Sequence, residues 1–150
     1  MQVILQHIRE SHLLNAIAAP WEKRCLVWSV SFDSDYGSGQ AWWVGKGFVP
    51  GAVPQPVAPP CDVSLDVELD CDGTLEWGDT LTVAESIFPA ITLSGSKMLL
   101  HGVLESTSDN HTVIRLGSSL MIVTAHGVPA SIGSAVEIRV ARLLFYPTSL

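Results

Sequence analysis

Between Cys61 and Asp72 the chain reads Cys-Asp-Val-Ser-Leu-Asp-Val-Glu-Leu-Asp-Cys-Asp. Asp62, Asp66, Glu68, Asp70 and Asp72 fall on alternate positions, with Val63, Leu65, Val67, Leu69 and Cys71 between them. Carboxylates in such a row have two uses: gathering a cation, or meeting a basic surface. Successive acids on one extended strand sit about 6.6 Å apart at Cα. A divalent cation wants oxygens at about 2.0–2.6 Å, so the row cannot close a metal site alone. Glu76 and Asp79, on a following strand, would have to complete one. As a recognition surface the row needs no such help, and Asp62, Asp66, Glu68, Asp70, Asp72, Glu76 and Asp79 are the candidate partner-binding acids.

The distribution of charge supports that choice. From Asp33 to Phe88 ten acids stand against the single Lys46, a net −9 that leaves +2 for the rest of a chain whose total is −7. Such a surface repels phosphates, so no nucleic-acid partner is expected, and a basic protein is the expected partner. Five tryptophans accompany the acids: Trp21, Trp28, Trp42, Trp43 and Trp77. In an extended strand Trp42 and Trp43 point to opposite faces, so one of them is a candidate interface anchor beside the acidic patch.

Other chemistry is poorly supplied. His7, His12, His101, His111 and His126 never take the helical i, i+4 spacing of a zinc site, and no cysteine pair has the two-residue gap of a zinc ribbon. Asp33 and Asp35 begin like a calcium loop, but Gly37 takes the next alternate position and no Glu closes it. No nucleophile elbow, phosphate loop or dinucleotide fingerprint appears. No metal, cofactor or catalytic residue is therefore expected. Cys25, Cys61 and Cys71 are three in number. Cys61 and Cys71, at the two ends of one strand, would lie about 33 Å apart. A disulfide needs Cα atoms within about 7 Å, so free thiols in a cytoplasmic protein are expected. Charged and polar residues interrupt the N-terminal apolar stretch, and no apolar run reaches the length of a membrane span, so no membrane partner is expected.

The elements that must position these residues are mostly strands. Leu26, Trp28, Val30 and Phe32 share one face of a strand, residues 33–39 form a loop, and Gln40 to Val44 returns. Near the N-terminus Val3 and Leu5 fit a short strand, and Ser11 would cap a short helix carrying Leu14, Ile17 and Ala18, ended by Pro20. Five prolines between Gly45 and Pro60 exclude that stretch from a sheet interior. Leu75 to Val83, Lys97 to Glu105, Thr112 to Leu116 and Ser119 to Ala125 follow as short strands. In the last element, Ala135 to Tyr146, the inward parity of Val136, Ile138 and Val140 is lost by Leu143 and Phe145. A bulge near Ala141 would restore it.

Some eight short strands and almost no helix predict an all-β fold, a small antiparallel barrel or sandwich, with residues 96–146 of oligonucleotide/oligosaccharide-binding type and a short N-terminal helix. At 150 residues the chain suits a single composite domain. Within it residues 1–44 form an N-terminal hairpin region, 45–60 a Pro/Gly-rich connector and 61–150 a β-barrel region. The function this predicts is a non-enzymatic acidic binding protein that occludes a basic surface of a partner, as inhibitors, antitoxins and immunity proteins do. The alternative is a barrel binding a small molecule or saccharide through its tryptophans, and a second alternative is an enzyme holding a divalent metal on clustered carboxylates.

Overall fold

Apolar residues recur at every second position along most of the chain, and the backbone answers with strands. The computed structural model describes residues 1–12, 26–44, 58–109 and 111–148. Among these it contains twelve strands and no helix: β1 (Gln2–His12), β2 (Leu26–Ser34), β3 (Gly37–Val44), β4 (Ser64–Cys71), β5 (Leu75–Glu76), β6 (Leu81–Val83), β7 (Ala90–Ser94), β8 (Lys97–Ser108), β9 (His111–Leu116), β10 (Ser119–His126), β11 (Ala135–Val140) and β12 (Leu143–Pro147). Trp21, Cys25 and most of the proline-rich connector lie outside the described residues.

Five strands close a barrel. β1 pairs antiparallel with β2, β2 with β3, β3 runs parallel to β12, β12 pairs antiparallel with β4, and β4 returns antiparallel to β1 through Ser64, Leu65 and Asp66. Its interior takes the inward residues of each strand: Val3 and Leu5, Val30 and Phe32, Ala41 and Trp43, Val67 and Leu69, Leu143 and Phe145. Phe32 and Phe145 meet edge to face at 4.7 Å, a geometry aromatic quadrupoles favour. The strands between β4 and β12 in the chain build an open sheet beside the barrel. β8, β9 and β10 form a meander, β11 and β7 flank β8, and β6 lies outside β11. β10 joins this sheet to the barrel at Met121, opposite Leu69 of β4.

One hydrophobic cluster runs through both parts. The junction is tight at two glycines. A Cβ on Gly37, at positive φ, would overlap the Ile91 carbonyl of β7, so glycine is what lets the open sheet press against β3. Gly117, at positive φ in the turn between β9 and β10, leaves room for the ring of Tyr36. The Tyr36 hydroxyl accepts a hydrogen bond from the Ser118 amide at 3.0 Å, tying that turn to the one between β2 and β3.

Several expectations are corrected. Ser11 does not cap a helix: it pairs with Val27 in β1, whose backbone bonds are met by β2, and residues 13–25 lie outside the described region. β1 is also longer than expected, and a register shift between Leu5 and His7 turns Ile8 back towards the core. The closed ring does not lie in residues 96–146; of that span only β12 enters it, because β8–β11 pair with one another. The 33–39 loop is a two-residue turn, Asp35 and Tyr36, since Ser34 and Gly37 are already paired. Val63 is 44% exposed instead of buried, because the chain bends through residues 61–63, with Asp62 at φ 59°, before β4 begins. The parity break near Ala141 is no bulge within a strand. The chain leaves β8 and β6 after Val140 and joins β3 and β4 at Leu143, and Leu143 and Phe145 are both fully buried.

Candidate partner-binding face

The site is built around β4. Val67, Leu69 and Cys71 point into the barrel, which obliges Asp66, Glu68 and Asp70 to point out. Their cross-strand neighbours carry no charge: Asp66 is opposite Gln2, Glu68 opposite Tyr146, and Asp70 opposite Leu144. Asp66 and Glu68 are exposed, while Asp70 is half-buried. Burial raises the Asp70 pKa above its ordinary value, and the hydrogen bond its carboxylate accepts from the Cys71 amide, 2.7 Å long, opposes the rise. The Met1 ammonium, which donates to the Val67 carbonyl at 2.7 Å, is a positive group close enough to interact with Asp66 and Glu68. Burial lowers its own pKa, partly against the pull of those two acids.

The remaining predicted acids are scattered from this row. Asp72 faces Arg142 at 3.4 Å, and the Arg142 guanidinium also lies 4.6 Å over the ring of Trp42. Glu76 sits 3.6 Å from His126. Asp79 is exposed in the turn before β6, and Asp62 is exposed in the bend before β4. Of the two adjacent tryptophans, Trp43 is core at 2% exposure, so it cannot touch a partner. Trp42 is the surface one, partly covered by Arg142. Glu76 and Asp79 do not come together with the row, and among the described residues no three His, Cys, Asp or Glu side chains are grouped to hold a metal ion. Asp33 is engaged by the Gln6 amide. Cys61 and Cys71 are free, and burial, with Asp70 and Asp72 adding to it, pushes the Cys71 thiol up to about 12.

Three residues of the face escaped sequence reasoning. Beside β4, a groove of about 520 Å³ is lined by Glu68, Leu69, Asp70, Leu120, Ile122 and Tyr146. Leu120 and Ile122, on β10, are 59% and 62% exposed. A signal for them exists: Leu120, Met121, Ile122 and Val123 put apolar side chains on both faces of one strand. Their proximity to β4 is invisible in sequence, because it rests on pairing across some fifty residues. Tyr146 follows from the change of parity at Ala141 and Arg142, which turns it outward next to Glu68.

The chain matches no protein-family model, and neither a curated protein nor a solved structure is significantly similar to it. Among the described residues no helix is long and apolar enough to cross a membrane.

Proposed function

We propose that this is a non-enzymatic binding protein whose acidic β4 face occludes a basic surface of a partner protein, in the manner of an inhibitor, antitoxin or immunity protein. The observation that carries the reading is the setting of Asp66 and Glu68. Both are exposed, on a strand of the closed barrel, opposite neutral neighbours. Glu76, Glu105 and Glu137 in the open sheet each meet a basic side chain instead. Exposed carboxylates on a fixed scaffold speed encounter with a cationic partner and set its orientation. Free thiols at Cys61 and Cys71 suit a reducing compartment such as the cytoplasm.

The test is surface plasmon resonance against the partner captured from the source cell, comparing the native chain with Asp66→Lys/Glu68→Lys at two salt concentrations. The on-rate should fall by about tenfold or more at low salt, and its salt dependence should shrink. An unchanged on-rate without salt dependence would sink the proposal.

A second reading has its own support. Taken in chain order, the ring strands run 1-2-3-5-4 and back to 1, with the third and fifth parallel, an order resembling oligonucleotide/oligosaccharide-binding barrels. Such barrels bind on the face of their second and third strands. Here that face pairs Ser29 with Trp42 and Ser31 with Gln40, hydroxyl, amide and ring groups suited to a saccharide or other small polar molecule. Saccharide-induced quenching of Trp42 fluorescence, absent in Trp42→Phe, would favour it over the acidic interface.

A further inference from the structure

An aliphatic side chain on the outer face of a strand in mid-sheet stays wet unless a second layer covers it. Leu120 and Ile122 are so placed, since β10 is flanked by β9 and by β4. Next to them the groove holds Glu68 and Asp70, with Tyr146 at its edge. Aliphatic groups, an aromatic ring and two carboxylates together suit a side chain with an apolar stem and a flat cationic end. Building on the binding-protein reading above, we infer that this groove receives an arginine-bearing apolar segment of the partner, its guanidinium on Glu68 and Asp70 and its stem against Leu120 and Ile122.

Arginine is favoured over lysine by the spacing and by the walls. Two residues apart on one strand, Glu68 and Asp70 are separated by about 6.6 Å at Cα, and a planar guanidinium with five donors can serve two separate carboxylates. It also stacks on aromatic faces and sheds water more readily than an ammonium group. The chain's own nearby guanidinium, Arg142, is engaged by Asp72 and Trp42. The raised pKa of half-buried Asp70 fits the same picture, since a carboxylate short of a cation gains most when one arrives.

The experiment is methyl and amide NMR on the isotope-labelled full chain, titrated with acetyl-Leu-Arg-Leu-Arg-Leu-amide and with its lysine and citrulline analogues. The arginine peptide should move the Leu120 and Ile122 methyl signals. Citrulline keeps the shape without the charge and should bind about tenfold more weakly or not at all, with lysine between. Glu68→Gln and Ile122→Thr, both at exposed positions, should each weaken the arginine peptide by about tenfold while leaving the rest of the spectrum in place. Equal binding of all three peptides would overturn the inference, as would shifts at Asp62 and Asp66 that spare Ile122. The second result would leave the acidic-face reading standing. Silence from every peptide would also overturn the inference, and the acidic face would then be judged separately by the captured partner's on-rate.

Discussion

Asp70 on β4 and Glu137 on β11 occupy the same kind of place, an outward position on an alternating strand, and their surroundings push them in opposite directions. Glu137 stands opposite His101 on β8, 2.9 Å away, and Arg139 reaches it at 3.0 Å. Those partners, the His101 hydrogen bond first, hold its carboxyl below the usual range. Asp70 stands opposite Leu144, and burial holds its carboxyl above the usual range. In the open sheet, acids bind strands to one another. Among the described residues, Asp66, Glu68 and Asp70 on β4 make no ion pair to a neighbouring strand, which leaves them open to the partner proposed above. The contrast separates charge spent on the fold from charge left available, a distinction that net charge alone cannot make.

The largest effect should come from the core beneath both faces. Phe145→Ala removes the ring packed against Phe32 in the barrel, and should cost about 3–5 kcal/mol in denaturant unfolding. Because one hydrophobic cluster joins barrel and open sheet, the loss should appear in a single transition. Two transitions, only one of them shifted, would break the comparison into two independent modules. Next in size is Arg142→Ala, which frees Asp72 and uncovers Trp42 at the point where the chain crosses from open sheet to barrel. With Arg142 more than a third exposed, solvent screening limits the pair, and the total cost should be about 1 kcal/mol. A Trp42 emission spectrum unchanged by Arg142→Ala would show that the stacking does not persist in solution.

Alternation made β4 legible: Val67, Leu69 and Cys71 are inside and Asp66 and Glu68 outside, as period-two patterning requires. Its start was not, because nothing local marked the left-handed backbone at Asp62 that leaves Val63 in water. At Ala141 and Arg142 the parity change was visible, but two physical causes produce it. A bulge keeps the same partner strand and a switch takes a new one, and only distant pairing decides between them. Trp42 and Trp43 were separable into opposite faces, yet which face is core depends on β12 and β2 packing around them. The groove was the least legible feature. Its apolar side belongs to β10 and its acids to β4, and no local pattern records that they meet.

The pH dependence of stability should carry the contrast as two opposite slopes. Glu137 releases its proton more readily when folded, so its contribution is complete above its ordinary value of 4.5 and is lost as pH falls through the lower folded value. Asp70 holds its proton more tightly when folded. Its ionised form works against folding above the raised value, and stability recovers as pH falls from there towards the ordinary 3.8. Urea midpoints between pH 3 and 7 should therefore show the acid-side loss reduced in Glu137→Gln, and the Asp70 recovery missing in Asp70→Asn. If Asp70→Asn leaves the profile unchanged, the carboxylate is better solvated than its position implies and the contrast fails on the β4 side.

The smallest expected effect is the most pointed. Asp66 and Glu68 are exposed and lie opposite Gln2 and Tyr146. Amides are near-isosteric with carboxylates and keep the strand's alternation, so Asp66→Asn/Glu68→Gln removes charge and little else. Stability should move by no more than about 0.5 kcal/mol, in either direction. Glu137→Gln, a single change, should cost more than this pair, because it removes the charge that His101 and Arg139 both meet and leaves one amide oxygen to accept from the two of them. Thermal or urea unfolding of the three chains near neutral pH settles the order. Were the double variant on β4 to lose more than Glu137→Gln, those two acids would be structural after all, and the case for a waiting cationic partner would lose its main support.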